Sequence, residues 1–393
     1  MSDPERLSTV CVRAGRGVPT DAETASSPIS PPLIQSATYS FETMASLEAY
    51  LEDPGAGFLY TRYENPTVRR AEAALAELEA TESSAVFSSG MAAITSTLLA
   101  HLAPGDHIVS MRSIYGGAFK FIRTALPRMG IETDLLETNE LAGWEERIRP
   151  ATKILYLETP TNPGLGVVDL RSLAASAKRR GILTIVDSTF GTPIATQPIA
   201  LGCDLVVHSA SKYLGGHSDL IGGVAAGRQA LIAPIGEMRK IYGGSADPFA
   251  AWLMLRGMRT LAVRMEAHSA RAMEIAKALG TMPAVRQVNY PGLASHPAHA
   301  LAVKQMRLFG GMLSFDLGSY EAARAAMDRF QVIQRAASLG GVESLASIPI
   351  MTSHTGYTDE ELMRAGVSRG MVRLSVGLED ARDLIEDLAQ AMR

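Results

Sequence analysis

Asp204-Leu-Val-Val-His-Ser-Ala-Ser-Lys212-Tyr-Leu-Gly-Gly-His-Ser218 carries a short apolar run, Leu205 to Val207, into a lysine and then two glycines. Such a run, rich in β-branched residues, reads as a buried strand. Ile182-Leu-Thr-Ile-Val-Asp187 has the same form just upstream. Working outward, strands are expected at 84–88, 107–111, 133–137 and 154–158, alternating with helices at 90–102, 118–128 and 170–180. Short apolar strands alternating with amphipathic helices predict an α/β fold whose mostly parallel sheet is covered on both faces. Ligands of such sheets gather at the carboxyl ends of the strands. Ser88, Glu158, Asp187 and Ser209 all fall there.

Beyond this alternation, residues 249–279 read as one long helical stretch leading to a smaller α+β domain. That domain has strands near 285–289, 312–317 and 372–376, a helix opened by the capping box Thr358-Asp-Glu-Glu361, and a terminal helix over 381–392. The first sixty or so residues, as in Ser26-Ser-Pro-Ile-Ser-Pro-Pro-Leu33, show little periodicity and read as an arm laid over another surface, such as a neighbouring subunit. The expected division is an arm at 1–62, an α/β domain at 63–255 and an α+β domain at 256–393.

With 393 residues, the chain is long enough for two domains with a large core. Its 37 basic and 41 acidic residues leave a net charge of −4, which gives no reason to expect nucleic acid or a membrane surface as partner. A small-molecule substrate is the expectation. No apolar stretch is long enough to span a bilayer, and Met1 to Ser8 lacks the apolar run of a secretory signal. Cys11 and Cys203, the only two cysteines, lie too far apart in sequence to suggest a disulfide framework or a metal cluster. A cytoplasmic setting without a bound metal is therefore expected.

A lysine delivered by a buried strand loses hydration, which lowers its pKa and leaves a neutral amine able to form a Schiff base with an aldehyde. Ser209 and Ser211 beside it offer hydroxyls to an anion such as phosphate. An aldehyde bearing a phosphate is pyridoxal 5'-phosphate (PLP), although a strand ending in a surface lysine fits this run taken alone. Ser88-Ser-Gly-Met-Ala-Ala93 joins strand to helix through small residues, so backbone amides at the helix N-terminus can approach a phosphate. Asp187 at a strand end suits a pyridine nitrogen, keeping it protonated, or is a satisfied buried carboxylate. Tyr115, in Ser113-Ile-Tyr-Gly-Gly117, is placed to stack on a flat ring or to pack as a loop tyrosine. Asn162 lies in the Pro-bracketed loop Glu158-Thr-Pro-Thr-Asn-Pro163, suited to the cofactor's phenolic oxygen and to a substrate carboxylate, or simply to a turn. Arg373, flanked by apolar residues in Val372-Arg-Leu-Ser-Val-Gly-Leu378, needs an anion: an α-carboxylate or a structural salt bridge. In the arm, Tyr60-Thr-Arg62 offers a proton carrier and a phosphate ligand, or a solvated segment.

From about Thr38 to Arg393, these motifs resemble the Cys/Met-metabolism family of PLP-dependent enzymes, which holds cystathionine and methionine γ-lyases, cystathionine β-lyases, cystathionine γ-synthases and the homoserine-ester sulfhydrylases. The lysine run departs from the family's usual form only in Ser211, where threonine is common. The resemblance implies PLP fold type I, an aspartate aminotransferase-like large domain with a smaller C-terminal α+β domain, in a homotetramer built as a dimer of dimers. In such dimers the arm with Tyr60 and Arg62 completes the neighbour's site. It further implies that Gly90, Met91, Ser209 and Ser211 hold phosphate, Tyr115 stacks on the ring, Asp187 meets the ring nitrogen and Lys212 is the Schiff-base and proton-transfer lysine. Arg373 would clamp the substrate carboxylate, with Asn162 and Ser338 assisting, and Lys120 falls where cystathionine enzymes usually meet a distal carboxylate. The reaction implied is α,γ-elimination from a sulfur amino acid, with Tyr115 as general acid; the alternative is γ-replacement on an O-acylhomoserine. Leu59 and Ala337 stand where cystathionine γ-lyases and γ-synthases typically carry acids, and Gly117 where methionine γ-lyases have cysteine. Ser338-Leu-Gly-Gly-Val-Glu-Ser344 leans towards the cystathionine branch and away from the sulfhydrylases.

Overall fold

A computed structural model describes residues 4–15, 28–53, 55 and 57–393. The larger sheet comprises β1 (Ser83–Phe87), β2 (His107–Met111), β3 (Glu132–Leu136), β4 (Thr152–Glu158), β5 (Leu183–Asp187), β6 (Leu205–Ser209) and β7 (Gly223–Gly227). Its order is β1-β7-β6-β5-β4-β2-β3. Strands β3, β2, β4, β5 and β6 run parallel to their neighbours in that row, whereas β7 is antiparallel to both β1 and β6. Ile154 to Leu157 on β4 and Ile185 and Val186 on β5 are fully buried, because helices cover both faces and neither can be polar. Register sets Glu158 of β4 beside Asp187 of β5, and Asp187 beside Val207 of β6. The expected α/β architecture is therefore present, and its central strand ends are adjacent.

The smaller sheet holds β8 (Gln287–Asn289), β9 (Met312–Asp316), β10 (Gln334–Arg335), β11 (Leu345–Ser347) and β12 (Met371–Ser375), in the order β10-β11-β12-β9-β8. Leu313, Phe315, Val372 and Leu374 from this sheet share one apolar core with Ile275 and Leu279 of the helix Leu261–Leu279 and Leu384 and Leu388 of the helix Ala381–Ala391. The Thr358 capping box is formed, with Thr358 and Glu361 each satisfying the other's backbone N–H.

Several elements differ from the sequence expectation. The arm region contains two helices, α1 (Pro4–Arg13) and α2 (Met44–Glu52). Leu7, Cys11 and Ala14 are buried in the core of the large domain, a helical spacing that the β-branched residues around Cys11 obscure. Ser26 and Ser27 of the quoted arm motif lie outside the described residues. The stretch 249–279 is two helices, Pro248–Met258 and Leu261–Leu279; Thr260 donates to Gly257 three residues back and leaves helical geometry. The helix expected over 118–128 begins as α5 (Gly116–Lys120), widens into a π turn over Phe121–Ala125 and ends at Leu126–Arg128. Pro127, having no N–H, cannot extend the regular ladder there. Strand β7 and the helix Gln229–Tyr242 were not anticipated: one is built only of Gly, Val and Ala, and the other contains Pro234. Among the described residues no helix is long and apolar enough to cross a membrane.

Candidate active site

The carboxyl ends of β4, β5 and β6 meet loops of the smaller sheet around a cavity of about 820 Å³. Of the residues singled out in the sequence, Gly90, Met91, Tyr115, Asn162, Asp187, Ser209, Ser211, Lys212, Ser338 and Arg373 all line it. Tyr60, Arg62 and Lys120 do not.

Asp187 is 4% exposed. Its Oδ1 accepts hydrogen bonds from the Thr189 backbone at 3.0 Å and hydroxyl at 2.6 Å, and the same hydroxyl accepts the Ser209 N–H at 2.9 Å. Burial raises the Asp187 pKa, opposed by the Thr189 hydrogen bonds and the nearby His208. A buried carboxyl whose second oxygen accepts no hydrogen bond from a described residue suits a protonated ring nitrogen.

Lys212 follows β6 after a turn in which its backbone N–H donates to Ser209 O at 3.2 Å. Its Nζ donates to Ser338 Oγ at 2.8 Å. Burial first, and then the positive charge of Arg373, hold its pKa below the ordinary lysine value of 10.5. Both causes favour the neutral, nucleophilic amine.

Arg373 projects from β12 and is 7% exposed. Its Nη1 donates to Asn162 Oδ1 at 3.2 Å and its Nη2 to Ser338 O at 3.1 Å, and burial lowers its pKa to about 10. It forms no ion pair with a described carboxylate. A buried guanidinium held by neutral acceptors alone is short of an anion, and a carboxylate entering the cavity meets that need.

Helix α4 (Gly90–Ala100) opens at the cavity, capped by Ser89 Oγ on the Ala92 N–H at 3.1 Å. This turn comes close to β6 by crossing the start of β7, where a Cβ on Gly223 would stand 2.1 Å from Ser89 O. A Cβ on Gly90 would stand 2.9 Å from Ser209 Cβ, so the small residues leave a notch between helix dipole and serine hydroxyls. Ser211 Oγ accepts the Gly222 N–H at 3.0 Å, which fixes it at the notch. Helix N-terminus, two hydroxyls, a soft amine, a buried carboxyl and an exposed ring at Tyr115 fit the parts of PLP one for one.

Tyr115 is 47% exposed, and its ring has room because residue 117 is glycine: a Cβ there would stand 2.6 Å from Tyr115 Cε1. Arg62 Nη1 donates to Lys240 O at 2.6 Å and its guanidinium lies over the Tyr63 ring at 4.6 Å, so within one chain it serves the arm. Lys120 ends α5 on the solvent side because Ala118 and Phe119 take the buried face. Sequence reasoning gave no role to Glu158, Thr189, Ile221 or the segment Met351 to Ser353, all of which line the cavity. The strand-end position of Glu158 was the available signal; the others had none.

The model of the Cys/Met metabolism PLP-dependent enzymes matches residues 8–393. The chain belongs to that family. Within this PLP-dependent family, cystathionine γ-lyase of Bacillus subtilis is 44% identical over 86% of this chain and 89% of its own. L-Methionine γ-lyase of Pseudomonas putida is 41% identical over 92% of both. The crystal structure of cystathionine γ-synthase from Xanthomonas oryzae pv. oryzae, in complex with aminoacrylate and cysteine, superposes with a TM-score of 0.90 at 38% identity, covering 98% of this chain and 97% of that one. Lyases and a synthase thus stand at comparable identity. Kinship fixes a PLP enzyme of sulfur amino-acid metabolism and leaves the reaction to the site.

Proposed function

We propose that this enzyme is a carbon–sulfur lyase that catalyses α,γ-elimination of a sulfur amino acid, such as methionine, homocysteine or cystathionine, to 2-oxobutanoate, ammonia and a thiol. The observation that carries the reading is the buried Arg373, without a carboxylate partner and adjoining the depressed amine of Lys212. Bound at Lys212, PLP supplies the electron sink that stabilises negative charge at the substrate's α-carbon. Arg373 takes the α-carboxylate, with Asn162 and Ser338 holding its guanidinium. Lys212, steered by the Ser338 hydroxyl, accepts the α-proton as a neutral base, and a second proton is then lost from the β-carbon, whose electron pair breaks the bond between the γ-carbon and sulfur. The Tyr115 hydroxyl donates a proton to the departing sulfur. Asp187 faces the ring nitrogen, and Gly90, Met91, Ser209 and Ser211 hold the phosphate. Tyr60 and Arg62 act on the site of a second copy, within a homotetramer.

Among the described residues Lys212 and Arg373 are the only cationic side chains that line the cavity, and its remaining wall includes Leu220, Ile221, Ala337, Leu339 and Met351. A second, distal carboxylate finds no counter-charge in the cavity lining among the described residues, since Lys120 stays outside. Among sulfur amino acids this favours an uncharged thioether or thiol side chain. The alternative, γ-replacement on an O-acylhomoserine, is supported by the synthase at TM-score 0.90. Incubating the holoenzyme with L-methionine, L-cystathionine or O-succinylhomoserine, with and without cysteine or sulfide, separates the two. The lyase reading expects 2-oxobutanoate as the main product without added thiol. Thioether or thiol as main product, with 2-oxobutanoate a minor leak, overturns it.

A further inference from the structure

Glu158 takes no part in the chemistry proposed above, yet it lines the cavity. It ends β4, is 5% exposed and sits directly beside Asp187 in the sheet. Its Oε2 accepts the Tyr115 backbone N–H at 2.6 Å, and the Asn162 backbone N–H is near enough to favour the ionised carboxyl. Two loops that meet near it both line the cavity. One presents the Tyr115 ring; the other presents the Asn162 amide, whose Oδ1 accepts from Arg373 at 3.2 Å. Tyr115 is the N-cap of α5 and makes no side-chain cap bond, so Glu158 is the group that anchors the start of that helix.

We propose that Glu158 is a positioning residue for this active site, tying the Tyr115 backbone to the end of β4, where the chain runs on to Asn162, and so setting the aromatic wall and the Arg373 clamp at a fixed spacing. The inference rests on the roles proposed for Tyr115 and Arg373. Burial and the neighbouring Asp187 push the Glu158 pKa well above the ordinary carboxyl range, while the two Thr189 donors favour ionised Asp187. Two adjacent buried carboxyls do not both ionise readily, and of the pair Glu158 is held further towards its neutral form. A neutral acceptor is all that the Tyr115 amide requires, and a glutamine carbonyl provides one.

The test compares Glu158→Gln and Glu158→Ala as holoenzymes by steady-state kinetics, visible circular dichroism of the bound cofactor, PLP affinity of the apoenzyme and melting temperature. Glu158→Ala is expected to lose about tenfold to a hundredfold in kcat/KM, the scale of an ångström-level misplacement, and to weaken the cofactor dichroism. Glu158→Gln is expected to recover both to within about threefold of the unaltered protein. Glutamine no better than alanine, in folding or in activity, overturns the proposal. A lower melting temperature with unchanged dichroism and kcat/KM also overturns it, since that is what a merely structural carboxyl gives. Arg373→Ala, measured in parallel, separates the two layers: an unchanged KM there undoes the underlying reading of the clamp, whereas the expected rise in KM together with a silent Glu158→Ala undoes only this inference.

Discussion

On the floor of the cavity the polar side chains hold one another: Asp187 is bonded to Thr189, Thr189 to the Ser209 amide, Lys212 to Ser338, and Arg373 to Asn162 and Ser338. At the mouth, Ile221 and Met351 are 70% and 60% exposed, and Tyr60 of the arm lies outside the cavity altogether. All of these floor bonds form within one chain. The mouth leaves apolar surface that a substrate side chain or a second copy can cover. Floor residues have their geometry fixed before anything binds, so changes there should act on turnover and on carboxylate binding. Among the described residues the Ile221 side chain can make no hydrogen bond and Met351 has only the Tyr320 hydroxyl on its sulfur, at 3.8 Å, so changes there should act on the choice among substrates.

The largest effect belongs to the floor. Lys212→Ala removes the proposed base and should lower turnover by about 10³-fold or more, read as 2-oxobutanoate formation over long incubations. Activity within about tenfold of the unaltered enzyme would mean that another lysine does the work. Arg373→Ala comes next. Loss of one charge-assisted carboxylate contact costs about 2–3 kcal/mol, so KM should rise roughly 30- to 150-fold while kcat changes little. The same variant tests the electrostatics. The Arg373 charge disfavours the Lys212 ammonium, so its removal must raise the Lys212 pKa. In the apoenzyme, acylation of Lys212 should have its pH midpoint below the ordinary 10.5, and Arg373→Ala should move that midpoint upward. An unmoved midpoint would leave burial as the sole cause of the depression.

The difference between floor and mouth also governs what the sequence discloses. Asp187 and Ser209 end short, largely apolar strands rich in β-branched residues, and parallel-sheet geometry gathers such ends, so local pattern alone brings them together. Arg373 stands out as a charge within an apolar strand. Glu158 satisfied the same positional rule, but its hydrogen-bond partner is the backbone amide of another loop, which no residue type announces. Ile221 and Met351 reach the cavity through loops whose path depends on how two sheets pack, and loops have no period to read. Lys120 was expected beside the substrate from resemblance, and the buried face of α5 turns it outward instead. The strand β7 escaped notice for a functional reason: Gly223 must lack a side chain if the β1–α4 turn is to reach Ser209, and small residues mask a strand's pattern.

The smallest expected effect lies at the mouth, and it bears on the proposed preference for an uncharged side chain. Met351→Glu would place a carboxylate where the cavity now offers a thioether, without touching the floor's hydrogen bonds. A substrate with a distal ammonium, such as cystathionine, should gain relative to methionine by about two- to fivefold in kcat/KM, the scale of one exposed ion pair. Because the new charge is exposed, the gain should shrink as ionic strength rises. Competition between the two substrates in one reaction, at low and high salt, measures that ratio directly. A ratio that stays constant would mean that the substrate's tail leaves the cavity by another side than Met351. A ratio that shifts together with a fall in kcat for both substrates would mean that the mouth is coupled to the floor, and the division between a fixed floor and a selective mouth would then fail.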